Sequence, residues 1–212
     1  DVQKNDRIYR DLDKVFKSAL RARDMIKHIL DFSRQSEEER TPLKIQYVIK
    51  EALKLLRASL PTTIAITQDL DEKCGSVLAD PTSIHRILMN LCTNAYYAMR
   101  EKGGELNVTL RETTITGTVD FAPAQNLSPG KYVELTVSDT GQGMEKEVKA
   151  KIFDPYFTTK PPGEGTGMGL AVVHGIVKRY GGDVRVQSEY GKGTTFQLYF
   201  PIIESEPEVI EN

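Results

Sequence analysis

Residues 132–139 place the tightest constraint on the fold. Val133, Leu135 and Val137 alternate with Glu134, Thr136 and Ser138, the period-two pattern of a strand with one apolar and one polar face. A strand of this kind needs a sheet whose apolar face is covered by another layer. Asp139 falls in phase with the apolar residues, which aims a carboxylate along the core face, where it requires a donor partner. Gly141 and Gly143 follow at once and leave room for a flat ligand to approach the backbone. An exocyclic amine on a heterocycle satisfies that acceptor. An Asp that caps its own turn at the strand end gives the same sequence.

The remaining periodicity predicts helices over about 46–58, 81–102 and 168–180. Strands are predicted near 63–69, 76–79, 105–113, 131–139, 183–188 and 194–200. This mixed order implies a two-layer α/β sandwich, a mixed sheet covered by helices on one face. With 212 residues, at about 100–200 per domain, the chain has room for one such domain and an appendage, or for two small domains. Lys and Arg number 28 against 30 Asp and Glu, so the basic field of a nucleic-acid binder is missing. No window approaches the length of a membrane-spanning helix, and no basic start with an apolar run marks a signal peptide. Cys74 and Cys92 are too few for a disulfide scaffold, which points to a reducing, cytoplasmic setting; with no spanning segment, no membrane contact by this stretch of chain is expected, whether or not a longer parent is anchored. The chain opens at Asp1 and is expected to be a piece of a longer protein.

The appendage comes first. Ile8, Leu12, Val15, Ala19, Ala22, Ile26, Ile29 and Ser33 recur at alternating steps of four and three with charged residues between them. This heptad seam needs a partner helix. It predicts half of a helical bundle over residues 1–40, whose other helices come from missing sequence or a second copy. An amphipathic helix packed on its own domain is the simpler alternative. The charged run at 37–40 and Pro42 end it. The domain proper is expected over 41–203, with an acidic tail or linker over 204–212.

Two further elements carry chemistry. Projected at about 100° per residue, the 81–102 helix gathers Ile84, Ile87, Leu88, Leu91, Ala95, Ala98 and Met99 into one arc. Asn90 and Asn94 stack one turn apart along its edge. Two amide oxygens offered to one point suit a hard cation such as Mg2+; paired Asn on a helix surface is the plain alternative. Downstream, the stretch 140–167 is rich in Gly and Pro and has no strong periodicity, the mark of a functional loop or lid. It ends in Gly163-Glu164-Gly165-Thr166-Gly167-Met168-Gly169-Leu170 running into a helical pattern. Backbone N–H groups in such a loop wrap phosphate oxygens. No Lys-Ser/Thr pair follows the last glycine and no strand directly precedes the loop, so neither a Walker loop nor a Rossmann turn fits.

Together these segments resemble the ATP-binding domain of sensor histidine kinases, in the superfamily that also holds gyrase, the Hsp90 chaperones and MutL, and thus a Bergerat-type ATP-binding fold. Asn90-Leu91-Cys92-Thr93-Asn94-Ala95 resembles the N box, and Asp139-Thr140-Gly141-Gln142-Gly143-Met144 the first glycine box. Phe153-Asp154-Pro155-Tyr156-Phe157-Thr158-Thr159-Lys160 resembles the F box, a feature of the kinases rather than their ATPase cousins. Gly165-Thr166-Gly167-Met168-Gly169-Leu170 resembles the second glycine box, and Gly191-Lys192-Gly193-Thr194-Thr195-Phe196 the last. Order and spacing agree over about residues 41–201.

The resemblance implies that Asn94 holds the Mg2+ bridging the ATP phosphates, with Asn90 beside it near the γ-phosphate. It implies that Asp139 accepts from the adenine amine, that Gly141 and Gly143 let the adenine pocket close, and that Met144 also meets the nucleotide. Gly165, Gly167 and Gly169, with Thr166, Met168 and Leu170, would form the phosphate end of a mobile lid, and Lys160 would offer a cation to the phosphates. Thr194 is in phase with Phe196, Leu198 and Phe200, so its hydroxyl points inward toward the adenine network. The seam segment 26–34 is similar to the second helix of the dimerisation and phosphotransfer domain, whose first helix carries the accepting histidine. His28, His85 and His174 lack the setting of that acceptor.

The implied reaction moves the γ-phosphoryl of Mg-ATP to a histidine outside this chain, then to the aspartate of a response-regulator receiver domain. The chain by itself is not expected to autophosphorylate. A clamp-driving ATPase and a non-catalytic nucleotide-sensing module are the other classes; the ATPase would want a Glu base near the place Asn90 holds. Two features depart from the family pattern. Tyr97 stands where many members have Lys, and the 113–130 segment is longer than a hairpin needs, with no function readable from its residues.

Overall fold

The computed structural model describes residues 39–116, 127–161 and 164–203. The heptad segment with His28, the middle of the long 113–130 connection, Gly163 and the acidic tail lie outside the described residues. Residues 39–157 and 167–203 belong to one compact body, whereas residues 158–166 group apart from it and are described by themselves.

The elements run β1 (Thr41–Leu43), α1 (Ile45–Ser59), β2 (Ile64–Leu70), β3 (Val77–Ala79), α2 (Pro81–Met99), β4 (Gly104–Ile115) and β5 (Gly130–Asp139), then α3 (Lys146–Lys149), α4 (Gly169–Arg179), β6 (Asp183–Glu189) and β7 (Gly193–Pro201). Five strands form a mixed sheet in the order β2-β4-β5-β7-β6. Only β2 and β4 pair in parallel, and a parallel pair needs a long crossover, which α2 supplies. β1 and β3 form a separate antiparallel pair.

The sheet's apolar face and the helical stripes make one core. Ile49, Leu53 and Leu56 of α1, Ile87, Leu88 and Leu91 of α2, and Val173, Ile176 and Val177 of α4 pack with Val133, Leu135 and Val137 of β5. The two-layer arrangement therefore follows from the strand phase. On the opposite face the polar residues satisfy one another: Glu134 Oε1 accepts from Gln197 Nε2 at 2.7 Å and from the Tyr199 hydroxyl at 3.3 Å. Burial and the neighbouring Glu134 carboxylate push the Tyr199 phenol up to about 12.

Three local differences from the sequence expectation have simple causes. α2 ends at Met99 rather than near 102, because Gly103 takes φ +70° and returns its N–H to the Met99 carbonyl at 2.8 Å, a left-handed helix stop. β1 is three residues long and exists only through pairing with β3, so it has no periodicity of its own. α3 is one turn inside the stretch read as loop.

Candidate functional site

α2 is anchored at its start. The Asp80 carboxylate accepts from the Thr82 and Ser83 N–H groups at 3.1 and 3.0 Å, and Pro81 fills the first helical position; both are strong start signals. With the start fixed and the stripe buried, the rotation of α2 is fixed too, and Asn90 and Asn94 lie half-buried at its edge. Asn90 Nδ2 donates to the Arg86 carbonyl at 2.9 Å, which turns the amide oxygen the other way. That oxygen faces the start of α4: a Cβ on Gly169 would lie 2.7 Å from it. A side chain at this position would displace the Asn90 amide from its present place. An amide oxygen beside a helix N-terminus has the chemistry to offer a ligand to a cation and N–H groups to an anion side by side.

The second glycine box is tied to the F box at this end. The Tyr156 N–H donates to the Gly167 carbonyl at 3.0 Å. Tyr156 has φ +69°, a conformation a bulky residue adopts only when its surroundings enforce it. Met168 precedes α4 as its cap residue, and Leu170 packs against the core. The Phe153 and His174 rings lie 5.0 Å apart. Burial, and then the Lys178 charge, lower the His174 pKa.

At the other end, Asp139 is 8% exposed and sits opposite Thr194 across the β5–β7 ladder. Its carboxylate accepts the Gly141 N–H at 2.8 Å. Burial pushes this carboxyl above the usual range, while the N–H groups of Gly141 and Thr194 pull it partly back. Gly141 lies against α2: a Cβ there would be 2.6 Å from the Ala98 Cβ. The Gln142 N–H bonds the Ala98 carbonyl at 3.2 Å, and the Gln142 carbonyl takes the Gly191 N–H at 2.7 Å. Gly143 has φ +65°, and a Cβ on it would meet the Glu189 carbonyl at 2.0 Å, so no other residue fits. Met144 packs against the core cluster.

The loop after β5 is thus stapled to α2 on one side and to the β6–β7 turn on the other. Asn90 and Ala98 mark the two ends of this arrangement, about 12 Å apart along the helix axis. Asn90, Asn94, Asp139, Gly141, Gly143, Met144, Gly167, Met168, Gly169, Leu170 and Thr194 all belong to the main body. Lys160, Gly165 and Thr166 do not. In their segment the Lys160 N–H donates to Thr158 Oγ1 at 3.1 Å, and a Cβ on Gly165 would lie 2.6 Å from that oxygen.

Sequence reasoning missed three participants. Ala98 was legible only as one more stripe residue, and Gln142 acts through its backbone. Ser188 shares the inward phase of Val184 and Val186, the signal that had singled out Thr194. At the departure position, the Arg100 guanidinium lies 4.1 Å from the Tyr97 ring centroid.

Comparison with known proteins resolves the family. Residues 79–204 match the family described as histidine kinase-, DNA gyrase B- and HSP90-like ATPase. The chain belongs to that family. Among its relatives, the sensor kinase CckA of Brucella abortus (strain 2308) is 35% identical over 199 residues, 93% of this chain and 21% of CckA. The sensor histidine kinase ZraS of Escherichia coli (strain K12) is 31% identical over 187 residues, 88% of this chain and 36% of ZraS. The chain therefore spans about a fifth to a third of the length of these relatives. A nucleotide-free form of the catalytic domain of histidine kinase ThkA superposes with a TM-score of 0.61 at 27% identity, covering 77% of this chain and 96% of that domain. The mixed five-stranded sheet with its helices is the α/β ATP-binding fold of this family. Residues 79–204 are an ATP-binding domain of the kind found in sensor histidine kinases. No helix among the described residues is long and apolar enough to cross a membrane.

Proposed function

We propose that this chain is the catalytic part of a sensor histidine kinase, delivering the γ-phosphoryl of ATP to a histidine on another helix for relay to a receiver-domain aspartate. The observation that carries this reading is the Asp139 carboxylate, buried on the core face with backbone N–H groups at its flank. The Gly141 N–H caps the turn through one carboxylate oxygen, and a carboxylate has acceptor capacity beyond that bond for a donor-bearing ligand. The adenine amine is that donor, and by the family resemblance Gly141 and Gly143 let the adenine pocket close.

About 12 Å away along α2, the Asn90 amide oxygen and the start of α4 suit phosphates and their counter-ion. Asn94 and Asn90 would hold Mg2+, for which amide oxygens are fitting ligands, and which neutralises phosphate charge when bound. The α4 N-terminus binds the phosphate oxygens through its N–H groups. By the family resemblance, Lys160, Gly165 and Thr166 act on the phosphates as well. Positioning and charge neutralisation suffice for a loose phosphoryl-transfer transition state, so no protein nucleophile is needed in this domain. The heptad segment 1–40 is assigned to the dimerisation domain, with a second copy as its partner, 41–203 to catalysis and 204–212 to a tail. A cytoplasmic location and a response-regulator partner complete the reading.

Thermal unfolding with nucleotide tests it. ATP with Mg2+ at about a hundred times its Kd should add about 2.7 kcal/mol of stability. Asn94→Ala should remove the Mg2+-dependent part and abolish phosphotransfer to a supplied acceptor-histidine domain. Unchanged melting in saturating Mg-ATP would overturn the proposal, and phosphohistidine formed on the chain alone would overturn the placing of the acceptor outside it.

A further inference from the structure

Ser188, Thr194 and Asp139 lie in one row across three strands. Ser188 of β6 is opposite Thr194 of β7, and Thr194 is opposite Asp139 of β5. All three point to the core side of the sheet. The Ser188 hydroxyl donates to the Gly193 carbonyl at 3.0 Å, and its oxygen lies 3.0 Å from Thr194 Oγ1.

A hydroxyl has one hydrogen and two acceptor lone pairs. Because the Ser188 hydrogen is committed to Gly193, Ser188 meets Thr194 as an acceptor. The Thr194 hydrogen therefore goes to Ser188, and what Thr194 has left to offer a ligand is a lone pair. Asp139 beside it is also an acceptor when ionised. Two neighbouring acceptors match a group bearing two N–H hydrogens and oppose a carbonyl oxygen.

We propose that Ser188 is a positioning residue that fixes Thr194 as an acceptor beside Asp139, and thereby selects a 6-amino purine over a 6-oxo purine. The inference rests on reading the Asp139 end as the base site. Ser188 itself need not touch the ligand; it acts by setting the direction of a neighbouring hydroxyl. Without Ser188 the Thr194 hydroxyl is free to turn and donate, so a carbonyl at the 6-position becomes acceptable.

The test is calorimetric titration of the full chain with ADP and with IDP, without Mg2+ so that the phosphate end contributes equally to both. The parent should prefer ADP. Ser188→Ala should lower the ADP-to-IDP affinity ratio by about tenfold, the scale of one hydrogen bond replaced by an opposed pair, and Ser188→Thr should restore it. A purely structural role would weaken both nucleotides alike and leave the ratio unchanged, which would overturn the inference. Should Ser188→Ala fail to fold, Thr194→Val keeps the Ser188–Gly193 bond and should weaken ADP while sparing IDP; equal losses would count against it. If the parent binds neither nucleotide, the base-site reading fails and this inference with it. Parent binding of ADP with an unaltered ratio in Ser188→Ala sinks the inference alone.

Discussion

At Asp139 two demands conflict. The carboxylate is buried on the core face, which favours its neutral form, yet it must accept hydrogen bonds from the Gly141 and Thr194 N–H groups. Burial wins, and the folded-state pKa is raised. The native state therefore holds this proton to higher pH than the unfolded chain, and stability falls as pH rises from about 4 through the raised value. Asp139→Asn lacks that titration. Its melting temperature, relative to the parent, should rise as pH is taken from about 4 to 7, whatever constant offset the exchanged donor introduces. ADP affinity should drop at least about tenfold in the variant, since an amide N–H opposes the amine. A pH-independent difference in melting temperature would contradict the raised pKa. The phase of Asp139 was visible in the alternation of residues 133–137, because a strand has only two faces. The hydroxyl chemistry of Ser188 was not, because it depends on a neighbour on a different strand.

Among the elements, α2 matters most, since its second half carries Asn90 and Asn94 and meets the loop after β5 at Ala98. Its start is held by Asp80, whose carboxylate satisfies two N–H groups of the first turn. Asp80→Ala should cost about 1 kcal/mol of stability, measured by urea unfolding with an unchanged m-value. A loss below about 0.3 kcal/mol would mean that the tertiary packing of Ile84, Ile87 and Leu88 fixes the helix start without the cap. The helix itself was legible from its apolar arc, and so was the placing of Asn90 and Asn94 on the arc's edge. Its end is not legible in the same way, because Arg100, Glu101 and Lys102 are good helix formers that carry the pattern past Met99. The left-handed Gly103 bonded back to Met99 decides it. β1 was invisible for a related reason: three residues contain too little periodicity to report a pairing that long-range contact creates.

For the molecule as a whole, the core has two internal reporters. Cys74 and Cys92 are 1% and 0% exposed, and burial raises their thiols to about 11 and about 12, with the Asp71 and Glu112 charges adding to the shift at Cys74. A thiolate is the reactive species, so neither should react with a disulfide reagent at pH 8 in the folded protein, whereas both should be titrated in denaturant. Saturating Mg-ATP should slow any residual labelling, because both thiols open only with the core. Fast labelling of either residue in the native state would place it outside the cooperative core. By itself the sequence determined where the long described helices and strands lie, the buried faces of α2, β5 and β7 and the order of the glycine and asparagine boxes, because these depend on residues one or two turns apart. Only the tertiary structure decided what stands beside what: Gly169 against Asn90, Gly141 against Ala98, and Ser188 next to Thr194 next to Asp139. The strand register sets the last of these, and the packing of the helices and the loop after β5 sets the others, bringing together residues as far apart as 79 positions in the case of Asn90 and Gly169; no local pattern encodes a contact of that range.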